Sequence, residues 1–306
     1  MKRMMLWGAA AAVLLSGCAF WEVSPAPAAS APREEETPFL TVAGRETPEW
    51  RYLCWLDRGI ESMAARYAAV GLEPDWAGQA GEDVQAQALA DTALYAAVEA
   101  MAEEHALTLT AEELADLDTS TWAELPQEQG RAMAAVGALY GKLCTLAQTP
   151  GSSLAPTEEE LADFAQKEGY LTLERILIPA GEGAADRAAE VFARVNAGGE
   201  EAFSQEKTEE AVTFRAGEGV FAPALEEAAA ALDPGQISGI LESEEGFSIL
   251  RRGETDTAGL AVAWLDESLL AWAEEAEVLT SAAYEEVDVA ARGLGVEERS
   301  KKQPGI

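Results

Sequence analysis

Gly219-Val-Phe-Ala-Pro-Ala-Leu-Glu-Glu-Ala-Ala-Ala-Ala-Leu-Asp-Pro-Gly-Gln-Ile-Ser238 is the stretch whose reading decides the fold. Leu225, Ala228, Ala229 and Leu232 repeat at helical spacing and make one apolar helix face. Working outward, a strand-like run covers residues 170–178, a helix-like stretch covers 184–196, and Gly198-Gly199 and Phe203 follow. On the other side a closing strand covers 246–252. Side chains alternate along a strand, so Arg175 shares a face with Leu173 and Leu177, opposite Ile176 and Ile178. By the same rule Ser248 alternates with Phe247 and Ile249.

This order resembles the parvulin family of peptidyl-prolyl cis/trans isomerases. The most specific matches are Phe221-Ala-Pro-Ala-Leu225-Glu-Glu-Ala-Ala and Leu232-Asp-Pro-Gly-Gln-Ile-Ser238. The resemblance implies a histidine on the first strand, where this chain has Arg175, and a second on the last strand, where it has Ser248. It also implies a proline-gripping wall with a methionine and a phenylalanine four residues apart. Phe221 and Leu225 hold those positions, and a more distal aromatic position becomes Ala230. The stretch from Phe203 to Phe214 is short and lacks the family's Ser-rich, Asp-bearing loop. Catalytic residues stay open, with Arg175 and Ser248 as the family-position equivalents and Phe221 and Leu225 as substrate-binding candidates. Arg175 either pairs with the Glu-rich surface or reaches a substrate carbonyl. Phe221 and Leu225 either contact an apolar residue or serve packing.

Parvulin chemistry requires neither metal nor covalent nucleophile, so no cofactor is expected. The barrier to rotating a peptide bond is ~18–20 kcal/mol because resonance stiffens C–N. It falls when a site grips the proline ring and favours the twisted amide over the planar one. Other chemistries lack parts. The single histidine, His105, closes a helix and suits the macrodipole or packing. One histidine and scattered cysteines assemble neither a His/Cys metal site nor a Ser-His-Asp triad. There is no Gly-rich nucleotide loop.

The start of the chain reads as an address. Lys2 and Arg3 precede an apolar run from Leu6 to Leu15, then Ser16-Gly17-Cys18. A basic segment, a short apolar core and small residues at the cut make a secretory signal over residues 1–17. Leu15-Ser-Gly-Cys18 resembles the lipobox of bacterial lipoproteins, which implies lipidation of Cys18 and a membrane anchor on the extracytoplasmic side. Residues 18–38, with Pro25, Pro27, Pro32 and Pro38, read as a stiff spacer. The 21 Lys and Arg stand against 55 Asp and Glu, a net charge of −34. Such a surface repels phosphate backbones, which excludes nucleic acid as a partner. It also repels anionic headgroups, which makes the acyl anchor more necessary.

Phe39-Leu-Thr-Val-Ala43 reads as a short strand turned by Gly44-Arg45, and residues 48–147 as helical. Leu89, Ala93, Leu94, Ala97, Val98 and Met101 form one stripe of a helix ending near Glu104-His105. Thr110-Ala-Glu-Glu113 and Thr157-Glu-Glu-Glu160 are capping boxes that open two further helices, with a linker at 149–153 between them. Another helix is expected around 260–277, strand or mixed structure over 278–289, and a polar, frayed tail over 297–306. Cys54 and Cys144 are either bridged or buried free thiols.

This arrangement resembles extracytoplasmic foldase lipoproteins of the PrsA and SurA type. The resemblance implies an α+β fold, mostly helical, in which residues 39–150 and 256–296 build a chaperone-like domain and 157–254 an inserted parvulin-like domain with a small antiparallel sheet. It further implies a membrane-anchored foldase assisting unfolded or newly exported polypeptides. The alternatives are a catalytically inactive holdase, or a surface-scaffold lipoprotein that only binds polypeptide.

Overall fold

The computed structural model describes residues 38–302. The leader, Cys18 and the spacer up to residue 37 lie outside the described residues. In chain order the elements are β1 (Leu40–Val42), β2 (Arg45–Thr47), α1 (Glu49–Ala69), α2 (Gln79–Glu104), α3 (Ala111–Ala115), α4 (Gln127–Ala147), α5 (Glu158–Glu168), β3 (Tyr170–Pro179), α6 (Ala184–Glu206), β4 (Val212–Arg215), α7 (Pro223–Ala230), β5 (Leu241–Ser243), β6 (Gly246–Gly253), α8 (Ala261–Glu275), β7 (Val278–Thr280), α9 (Ala282–Glu285) and α10 (Val289–Lys302). The fold is α+β. The chain divides into two compact units, one from residues up to 154 and from 265 onward, the other from 155 to 264. No helix among the described residues is long and apolar enough to cross a membrane.

In the discontinuous unit, β1 and β2 form a tight hairpin through Ala43 at φ 48° and Gly44 at φ 78°. Two positive φ values in succession match the right-handed twist of the strands they join. On its other edge β1 pairs antiparallel with β7, Leu40 opposite Thr280 and Val42 opposite Val278. Trp55 of α1 meets Tyr95 of α2 edge-on at 4.8 Å and Trp122 at 5.5 Å, which knits the helices. α2 departs from the single stripe expected of it: every residue from Thr92 to Val98 is buried. Its alanines are small enough for neighbours to close on all sides. At the other end α10 runs past Glu297 to Lys302, and residues 303–306 of the tail lie outside the described residues. Cys54 and Cys144 are free thiols. His105 caps α2, and its Nδ1 lies 2.8 Å from Ser153 Oγ.

Both capping boxes form. The amides of Glu113 and Glu160 donate to the Thr110 and Thr157 hydroxyls at 3.2 Å, and each glutamate accepts from its threonine amide at 2.7 Å. In the contiguous unit α5 therefore starts cleanly, and Gly169 at φ 76° ends it and launches β3. The sheet has the order β4-β3-β6-β5, antiparallel throughout. One face carries Ile176, Ile178 and Ile249 against Ala184, Ala188, Val195 and Phe203 of α6. The other carries Leu171, Leu173 and Leu250 against Phe214, Leu225, Ala229 and Leu232. α6 continues well past Asn196, but it breaks at Gly199, whose φ of 61° and ψ of −144° no side chain tolerates easily.

Candidate functional site

The two strands predicted to frame the site lie side by side, with Arg175 opposite Leu250 and Leu177 opposite Ser248. Arg175 and Ser248 thus rise on one face of the sheet, as period-2 alternation requires. They touch: Arg175 Nε donates to Ser248 Oγ at 3.0 Å. Arg175 is 5% exposed and Ser248 fully buried. Arg175 Nη2 donates to Glu245 at 2.5 Å and Nη1 reaches Glu209 at 3.5 Å. The Phe221 ring centroid lies 5.8 Å from the guanidinium carbon and stands edge-on to Phe214 at 5.4 Å.

The structure therefore gathers Arg175, Ser248 and Phe221. Leu225 differs: at 2% exposed it belongs to the core beneath α7, between the sheet and Leu232. Ala230 is exposed and offers only a methyl group where an aromatic ring was implied. The short 207–211 segment prolongs the edge of β3 beyond β4. Thr208 donates its amide to the Arg175 carbonyl at 3.1 Å and accepts the Leu177 amide on its hydroxyl at 2.8 Å.

A guanidinium stays charged at any physiological pH, so this floor holds a fixed cation rather than a proton-exchanging ring. Its strongest partner, Glu245, is 62% exposed on its side chain, and such a pair is weak and replaceable. The contact to Glu209 is at the outer limit of a hydrogen bond. The guanidinium can accordingly turn an N–H toward an incoming carbonyl without losing its tie to Ser248.

Three participants were not singled out from sequence: Glu245, Glu209 and Glu226. Glu226 is 4% exposed and accepts the amides of Gly217 at 2.7 Å and Phe221 at 2.9 Å. Burial would raise its pKa. The amides of Phe221, Gly217, Gly219 and Val220 outweigh that and hold it below the usual carboxylate range. Elsewhere, in the helical unit, a groove of about 610 Å³ is lined by Glu49, Leu53, Asp57, Val287 and Arg292 among others; none of the predicted site residues borders it.

Residues 157–260 match the family model described as the PPIC-type PPIASE domain. That segment is a parvulin-type domain. The chain is also similar in structure to the foldase protein PrsA from Streptococcus pneumoniae, at 14% identity over 69% of this chain and 84% of that one, TM-score 0.28. It is similar to PrsA from Bacillus subtilis at 14% identity over 74% and 87%, TM-score 0.27. A SurA-like chaperone of Campylobacter jejuni matches at 10% identity over 81% and 100%, TM-score 0.19. No curated protein matches the chain.

Proposed function

We propose that this protein is an extracytoplasmic foldase, anchored through lipidated Cys18, that captures unfolded or newly exported polypeptides and presents X–Pro segments to its parvulin-type domain. The observation that carries this reading is the joining of the family match over 157–260 with a face where a half-buried aromatic, Phe221, stands beside a buried cation. An apolar wall accepts a proline ring, and an N–H donor beside it meets the carbonyl of a strained amide. With Arg175 and Ser248 in place of two imidazoles, prolyl isomerisation is slow relative to binding. The fixed guanidinium also favours a second reading, a binding-only holdase, because its tie to Ser248 leaves one fewer donor for substrate.

Two assays test it. In a protease-coupled proline-peptide assay, acceleration over the uncatalysed rate supports the isomerase reading. No acceleration, with suppressed aggregation of a denatured client at equal molarity, leaves the holdase. Failure in both assays refutes the proposal. Fatty-acid labelling that survives Cys18→Ser refutes the anchor.

A further inference from the structure

We propose that Glu226 is the positioning residue of this site: its buried carboxylate gathers the backbone amides of residues 217–221 and so fixes where Phe221 stands. The inference rests on the reading of Phe221 as a polypeptide contact.

Between β4 and α7 the chain makes an open loop with Gly217 at φ 94° and Gly219 at φ 80°. Those left-handed positions let successive amides turn inward, which a chain of ordinary residues resists. An ionised carboxylate is an acceptor with room for several donors, and here its oxygens divide the work. One takes Phe221 N–H at 2.9 Å and the other Gly217 N–H at 2.7 Å. The two anchors bracket the loop, four residues apart in sequence and tied to one side chain. Val220, between them, is 48% exposed, so packing of its own side chain does not hold the loop down.

Phe221 is thereby fixed at its own amide. Its ring packs edge-on with Phe214 and lies 5.8 Å from the Arg175 guanidinium carbon. Freed from Glu226, a loop with two glycines would sample many shapes, and the ring would lose its set distance from Arg175. Glu226 reaches no substrate in this arrangement and acts through Phe221.

A double-mutant cycle in the full chain tests this, with a fluorescently labelled Leu-Pro-containing peptide as probe. Phe221→Ala and Glu226→Ala should each weaken binding about tenfold, and the double variant no further, because both remove one device. Glu226→Gln keeps the shape and one good acceptor, and should lose only about threefold, with a thermal unfolding temperature lowered less than in Glu226→Ala. Losses that multiply in the double variant overturn the proposal. A second readout needs no peptide: the Gly217 and Phe221 amide proton resonances, deshielded by the carboxylate, should move upfield together in Glu226→Gln. If they stay in place, Glu226 does not position the loop, whatever binding shows. A wild-type chain that ignores the peptide removes the functional reading, and the amide resonances then decide the role of Glu226 alone.

Discussion

Replacing Arg175 by Met tests the site most directly, because its partners differ so much in burial. Loss of the guanidinium leaves the Ser248 hydroxyl, fully buried, without its donor. An unsatisfied buried hydroxyl costs ~1–3 kcal/mol. The exposed Glu245 returns to water, so its share is at most ~1 kcal/mol. Arg175→Met should therefore destabilise the β3–β6 pair by about 2–3 kcal/mol. Ser248→Ala alone should cost about 1–2 kcal/mol, since Nε then points at a methyl group. The double variant replaces both polar partners by apolar ones and should cost less than the two singles together, with a coupling of at least ~1 kcal/mol. Hydrogen exchange of peptides covering 170–179 and 246–253, read under native conditions, reports the opening free energy of this unit without requiring the whole chain to unfold in one step. Additivity of the two singles within about 0.5 kcal/mol would refute the claim that Arg175 and Ser248 act as a pair.

Further expectations concern the rest of the molecule. Burial raises Asp91 to about 6. A raised carboxyl makes the ionised form costly in the folded state, so Asp91→Asn should stabilise by about 1–2 kcal/mol at pH 7.5, partial exposure reducing the full shift. That gain should fade as pH drops from 6 toward 4, and urea titrations at both ends check it. Glu226 has the opposite sign: its depressed carboxyl contributes stability that is full above its ordinary value, about 4.3, and is lost as acid carries pH through the folded value. Protection of the 216–222 loop amides, taken relative to the intrinsic exchange rate at each pH, should thus fall below about pH 4. Gly293→Ala would place a methyl group 2.4 Å from the Trp76 ring, and a thermal melt should show a loss of about 1–3 kcal/mol. Cys144, half-buried, should react with a thiol reagent before Cys54, whose thiol burial pushes up to about 11; equal rates would contradict the packing of α1.

Local and periodic features were legible in the chain. Both capping boxes involve residues three apart, and strand alternation alone sets Arg175 with Leu173 and Leu177; that Ser248 shares their face needed the register of β3 on β6. Their partners were not legible. Glu209, Glu226 and Glu245 are three among 55 acidic residues, and only the folded chain brings the first and last to the guanidinium and Glu226 to the amides of Gly217 and Phe221. Leu225 had two readings because helical spacing names a buried face without saying what buries it. Strands β3 and β6 fill the space beneath it, and it becomes core. The all-round burial of α2 escaped for a related reason. A run of alanines carries little hydrophobic signal, and only the close approach of other helices shows what the small side chains permit.

The pairing of β1 with β7 joins residues 40–42 to 278–280. A chain that emerges from its amino end, through a ribosome or an export channel, must wait for nearly all of its length before that ladder can close. The continuous stretch 155–264 has no such wait. It can mature while its flanking halves are still strangers, which should make it the first protease-resistant fragment to appear during synthesis. Cutting the polypeptide after residue 264 should spare it and leave the amino-terminal helices without the partners that complete their fold.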